Sequence, residues 1–238
     1  DSQKILYLDK RLNLFYLDVE GKEPVRVATD TYFFGYTLDP AWSPDSRWIA
    51  YTKRLDNQMR VVFLYDTDAG ESHQITDGLS DASSACFSRD GKHLFFMADT
   101  NAGLSVMDLD MTAYERPPQK NLYAVVLSKD EPSPFAPESD EENAEEENGE
   151  EEDDSGNDDE ESDDNGDGDE ADGDENDDNG EDDKKDEDKD KKVEVKIDLE
   201  GIDQRIVAIP VATRDYRNIQ AAGDGKLFYL ENVENEEG

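Results

Sequence analysis

Apolar residues along this chain fall mostly in short alternating runs, and no stretch sustains the 3.6-residue spacing of a helix. The pattern predicts strands at Lys4–Asp9, Asn13–Asp18, Val25–Thr29, Tyr36–Ser43, Trp48–Arg54, Arg60–Asp66 and Ser72–Thr76. It continues with Ala82–Ser88, His93–Ala98, Asn121–Leu127, Val193–Leu199, Arg205–Pro210, Tyr216–Ala222 and Lys226–Glu231. β-Branched and aromatic residues fill these runs. Turn formers separate them: "DVEGKEP", "SPDS", "TDAGE", "TDG", "RDGK" and "GDGK". Almost no helix is expected. Asn101–Lys120, which contains "YERPPQ", fits no strand and reads as a long excursion.

The runs repeat. "DPAWSPDSRWIAYT" begins at Asp39 and "ACFSRDGKHLFFMA" at Ala85, so Trp42 aligns with Phe87 at a spacing of 45. Asp45 then aligns with Asp90, and Arg47 with Lys92. Asp224-Gly225-Lys226 followed by "LFYL" is a third copy. A period of 40–45 with four strands per unit marks a β-propeller. The shared Ser-x-Asp-Gly/Ser-Arg/Lys segment is a hairpin turn between the innermost strand and the next. Its Ser and Asp side chains can bond turn N–H groups, and Gly or Ser accepts the tight backbone. The register puts blade one at 3–29, blade two at 36–77 and blade three at 82–210, with blade four starting at Tyr216. The fold class is therefore all-β: a partial propeller of three to four blades of four-stranded antiparallel sheet, an arc of a larger ring.

Charge divides the chain. The net charge is −40, and between Glu138 and Lys192 stand 33 acids against five lysines. This tract has no aromatic residue, and alanine is its only apolar type. It has no apolar surface to offset a backbone ordering cost of about 1–2 kcal/mol per residue. It is expected to be a long disordered acidic insertion, splitting the chain into propeller (1–137), insertion (138–192) and propeller continued (193–238). Its readings are a solvated loop, an electrostatic gate for cationic peptides, or a tail for basic proteins. Nucleic acid is excluded as a direct partner, because tract and folded part are both negative. Cys86 is the only cysteine, so no internal disulfide forms, and a buried inert thiol is expected. No apolar run reaches the roughly 20 residues of a membrane span. The chain does not begin with Met and reads as the middle of a longer protein, so the compartment stays open between cytoplasm and periplasm.

Candidate chemistry is sparse. Ser83 and Ser84 precede Cys86 on a first strand, Asp81 is near, and the histidines are His73 and His93. A triad from these would need an accident of folding; small residues lining a channel wall are the plainer reading. Asp163, Asn165, Asp167, Gly168 and Asp174 match a calcium-loop template, but Asp174 replaces the bidentate Glu and flanking helices are absent. In so acidic a tract the match is expected by chance. No nucleophile elbow, Cys-x-x-Cys, His-Glu-x-x-His or phosphate loop occurs. No catalytic, cofactor-binding or metal residue is assigned, and no cofactor is expected.

"WSPDSRWIAY" and "FSRDGKHLFF" resemble the repeats of TolB-like propellers. "LYAVVLSKDEPSPFAPESDEE" (Leu122–Glu142), "VKIDLEGIDQRIVAIPVATRDY" (Val195–Tyr216) and "AAGDGKLFYLE" look like the second, larger propeller of the tricorn protease and its bacterial homologues. The resemblance covers essentially the whole chain outside the acidic tract. It implies a parent serine peptidase with two propellers, a PDZ-like domain and later catalytic domains, acting as a homo-oligomer. This segment would form a channel filtering unfolded peptides, and would hold none of the catalytic residues. A non-enzymatic TolB-like propeller that binds another protein is the alternative. The propeller of a prolyl-oligopeptidase-type enzyme is a third.

Overall fold

The computed structural model describes residues 3–31, 38–100, 119–135, 193–223 and 225–233. All belong to one compact unit made of Asp1–Ala136 and Lys192–Gly238. Strands β1 (Lys4–Leu8), β2 (Asn13–Asp18) and β3 (Pro24–Thr29) form a first sheet. Strands β4 (Ala41–Trp42), β5 (Trp48–Arg54), β6 (Arg60–Asp66) and β7 (Glu71–Gln74) form a second. The third is β8 (Asp81–Phe87), β9 (His93–Asp99), β10 (Asn121–Val126) and β11 (Ile206–Ala208); β12 (Tyr216–Ala221) pairs with β13 (Leu227–Glu231) in the fourth. Every pairing is antiparallel between sequence neighbours. The chain is an all-β arc of propeller blades.

Alternation explains the stacking. Each strand offers one face to each neighbouring sheet, so both faces must be apolar where blades abut. Leu14, Leu38, Ile49, Tyr51 and Tyr65 seal blade one against blade two. Val62, Leu64 and Ile75 meet Phe87, Leu94, Phe96 and Val125 between blades two and three. Met97, Leu122, Tyr216 and Ile219 fill the third seam. A buried pair also clasps blades two and three: the Arg60 guanidinium donates to the Asp81 carboxylate at 2.6 and 3.0 Å, and Arg60 N–H adds a bond of 3.0 Å. First strands pack on first strands, β4 on β8 and β8 on β12. The first-strand edge is therefore the inner, axial side of the arc.

Several boundaries differ from the sequence reading. Of the strand expected at Tyr36–Ser43, the described residues form Ala41–Trp42, preceded by Asp39 with a left-handed backbone at φ 41° and by Pro40, which has no N–H for a ladder bond. Residues 32–37 fall outside the described residues. Val193–Leu199, expected as a strand, joins no sheet; its apolar residues alternate inward onto the seam of blades two and three instead. Ile202–Arg205 is a 3₁₀ turn, so the strand expected from Arg205 begins at Ile206 and ends at Ala208. The excursion at Asn101–Lys120 and the acidic tract lie outside the described residues, save for the last two positions of the former. Among the described residues no helix is long and apolar enough to cross a membrane.

Candidate functional site

The repeated segments are hairpin turns between the first and second strands, with matching bonds. In blade two the Ser43 hydroxyl donates to Asp45 (2.5 Å) and accepts from Trp48 N–H (2.8 Å), while Arg47 N–H donates to Asp45 at 3.1 Å. In blade three Ser88 donates to Asp90 (2.5 Å) and accepts from His93 N–H (2.9 Å), and Lys92 N–H donates to Asp90 at 3.1 Å. The left-handed position is Ser46 at φ 61° in one and Gly91 at φ 73° in the other. Asp45 and Asp90 thus serve folding. The third copy has Ala222 in place of the serine, and it closes by a different bond, Ala222 N–H to Lys226 C=O at 2.8 Å.

Beside these turns the inner strands line an open groove with a volume of about 580 Å³. Its wall comes from β4 and the two residues before it (Asp39, Pro40), from β8 (Ser84 to Phe87) and from β12 (Asn218 to Ala221). Asp39, Ser84 and Asn218 have φ of 41°, 55° and 50°. The volume lies in the ordinary range of ligand pockets, about 300–1,000 Å³. None of its described lining residues is cationic; Asp39 carries charge, and Ser84, Asn218 and Gln220 are neutral hydrogen-bonding groups.

The residues singled out from the sequence separate in space. Ser84 and Cys86 line the groove, while Ser83 lies behind the wall, 3% exposed, its Oγ without a hydrogen-bond partner. Asp81 is occupied by Arg60, and it pairs with Asp99 at the far end of the β8–β9 ladder from His93. His93 stacks on Phe95, and burial pulls its pKa down against the opposing pull of Asp90 and Glu131. His73 sits on the outer strand β7, opposite Leu64. These groups do not converge into a catalytic triad. Cys86 is half-buried rather than fully buried, and burial pushes its thiol up to about 11. A thiol that stays protonated is a poor nucleophile. Among the described residues no cluster of His, Cys, Asp and Glu is arranged to hold a metal ion. The calcium-loop match at Asp163, Asn165, Asp167, Gly168 and Asp174 lies outside the described residues.

Asp39, Asn218 and Gln220 were not singled out from the sequence. The repeat held the signal, because Asp39 and Asn218 stand where Ser84 stands relative to the turn. A helical or catalytic motif search does not look there.

Described residues on either side of the acidic tract in sequence, Glu131 and Val195, contact the repeated turns: Glu131 pairs with Lys92 at 3.0 Å, and Val195 reaches Asp45 and Gly91. The tract is inserted between the third and fourth strands of blade three, where blade two has the tight turn from Asp66 to Gly70. On the returning side Val195 N–H donates to Asp45 at 3.0 Å, and Val195 packs beside Gly91. Arg205 donates to the carbonyls of Val126 (3.0 Å) and Glu200 (3.1 Å), and Lys129 pairs with Glu200 at 3.0 Å.

Comparison with known proteins adds family evidence to this geometry. The family described as tricorn protease second beta propeller domain matches residues 1–237. Among solved structures, the crystal structure of the tricorn protease superposes with TM-score 0.53 at 15% identity, covering 91% of this chain and 17% of that one. TolB from Acinetobacter baumannii gives TM-score 0.38 at 20% identity, over 54% of this chain and 28% of that one. A curated relative, the uncharacterized peptidase YuxL of Bacillus subtilis strain 168, is 28% identical over 76 residues, 32% of this chain and 12% of that protein. The chain therefore spans a minor part of the length of the relatives it matches.

Proposed function

The chain belongs to the family of tricorn protease second β-propeller domains, and from that premise we propose that it is a channel-forming, substrate-gating segment of a tricorn-like serine peptidase. The observation that carries this reading is the axial groove walled by first strands of three successive blades. Those strands bring polar side chains to the inner edge while their apolar residues seal the seams. The mechanism is steric and electrostatic: an unfolded chain narrow enough to pass the inner strands reaches the peptidase, and a folded one is refused. The catalytic groups belong to later domains of the parent, together with a PDZ-like domain, and the parent acts as a homo-oligomer. The propeller comprises 1–137 and 193–238, and 138–192 is a solvated polyanionic insertion without a packed core.

The test uses the intact parent polypeptide and an unfolded reporter peptide, with and without a serine-directed covalent inhibitor. Inhibitor-sensitive cleavage is expected. Deleting Glu138–Lys192 is expected to leave cleavage of neutral peptides intact. A reduced preference for cationic peptides after deletion would make the tract part of the gate. No cleavage by a correctly assembled parent would overturn the peptidase reading in favour of a binding scaffold.

A further inference from the structure

A second recess lies at the seam of blades two and three, with a volume of about 300 Å³, the lower end of the range of ligand pockets. Its walls come from the link between β7 and β8, from β9 and β10, and from the 3₁₀ turn and the start of β11. β7 and β11 are the outermost strands of their blades, so the recess lies toward the rim of the arc. It shares no described lining residue with the axial groove. Ile75, Phe96, Ala98, Tyr123 and Ile206 give it an apolar floor, in which the Phe96 and Tyr123 rings stack at 5.3 Å and 17°. Two carboxylates join this floor from separate elements, Asp77 from the link and Asp203 from the 3₁₀ turn. Asp77 accepts Leu79 N–H at 2.9 Å, and Asp203 accepts the Gln204 amide at 2.8 Å. Among the described residues neither forms an ion pair, and none of the described lining residues is cationic.

Both sides of the recess are anchored. The link turns at Gly78 with φ 83°, where a Cβ would lie 2.6 Å from Leu55 Cδ1, and the Asn57 amide donates to Gly78 C=O at 3.0 Å. On the other side Ile202 is buried, and Arg205 fastens the 3₁₀ turn to the Val126 carbonyl at 3.0 Å. Leu79 stands between the lining residues Asp77 and Ser80 and is 83% exposed, so it adds apolar surface at the lip.

We infer that this recess is a docking site for a basic segment of a partner polypeptide, taking an arginine or lysine side chain that has an apolar neighbour in sequence. The site is separate from the channel proposed above and does not depend on it. Long cationic side chains combine an apolar stem with a charged head. The stem matches the floor, and the head reaches carboxylates that have no cation of their own. An uncharged apolar group would fill the floor but strip water from Asp77 and Asp203 without replacing its hydrogen bonds. An acidic group would be repelled by both. Leu79 gives the apolar neighbour a contact, which a free polyamine or a metal ion would not use. The net charge of −40 attracts any basic partner from a distance; the recess supplies the local fit.

The test uses the intact parent polypeptide, acidic tract retained and treated with the serine-directed inhibitor, at physiological salt. Two short fluorescent peptides, identical except for one arginine or its neutral isostere citrulline beside a leucine, are titrated by fluorescence anisotropy. The arginine peptide is expected to bind more tightly. Asp77→Asn and Asp203→Asn keep an acceptor oxygen for Leu79 N–H and the Gln204 amide. Each is expected to weaken the arginine peptide about threefold, the scale of one exposed ion pair, and to leave the citrulline peptide unchanged. Leu79→Ser is expected to weaken both peptides together. Glu20→Gln, which removes a charge on blade one, is expected to change neither. All four substituted residues are exposed, and melting curves matching the unsubstituted protein establish that the variants fold. Equal affinity for the two peptides overturns the inference. So does an arginine affinity that both aspartate substitutions leave unmoved, or that Glu20→Gln lowers as much. No loss in Leu79→Ser would reduce the recess to a cation pocket and overturn the polypeptide assignment. None of these readings requires cleavage, so the docking site and the peptidase reading fail separately.

Discussion

At the scale of the residue, the repeated turn shows why one short phrase recurs along the chain. Ser88 uses its hydroxyl twice, donating to Asp90 and accepting from His93 N–H. Ser88→Ala removes both bonds and leaves the strand-entry N–H short of its acceptor. We expect a loss of about 1–2 kcal/mol in urea unfolding, and a similar loss for Ser43→Ala. An effect near zero in both would mean that the turn is held by its backbone alone. Cys86 makes a second residue-scale expectation. With its thiol pushed up to about 11 by burial, little thiolate exists at pH 8. Native protein should therefore react with a thiol reagent far more slowly than urea-unfolded protein, and equal rates would contradict the half-buried placement. The turn serines were legible in the sequence because their bonds are local. The groove positions were not, because they depend on the register of the partner strand.

At the scale of the element, the segment Val193–Leu199 is the instructive case. Its alternating apolar residues are those of a strand, yet it pairs with no strand and packs on the seam between two blades. Alternation reports a one-sided extended segment, whether or not a ladder is present. Gly91 is where this segment presses on the turn. A Cβ there would lie 2.8 Å from Val195 Cγ2, and its backbone sits at φ 73°, where glycine carries no Cβ penalty. We expect Gly91→Ala to cost about 2–4 kcal/mol, combining the left-handed backbone with overpacking. Adding Val195→Ala removes only the overpacking, so the double variant should be less destabilised than the sum of the singles. Strict additivity in chemical unfolding would mean that the strap does not bear on the turn.

At the scale of the whole molecule, apolar side chains remain on the two terminal sheets. Phe228 and Leu230 of β13 are 62% and 60% exposed, and Ile5 of β1 is 51% exposed. In a propeller such faces are covered by the next blade. Taken as an isolated polypeptide, this segment should self-associate with rising concentration and bind a hydrophobic dye. Sedimentation of a monodisperse monomer across a wide concentration range would refute that. The high negative charge opposes association at low salt, so added salt should favour it.

The sequence alone determined the strand order, the blade register and the role of the Ser-x-Asp turns, because these rest on alternation, turn chemistry and a period, all written locally. It also marked the tract from Glu138 to Lys192 as different material, through composition. Tertiary structure alone decided the rest. It turned Val193–Leu199 from a strand into a strap, tied Asp81 to Arg60 in place of any catalytic partner, and brought Asp39, Ser84 and Asn218 from three repeats to one groove. Each of these depends on which side chain meets which across a blade seam. That contact is set by the stacking of whole sheets, and no single run of residues contains it.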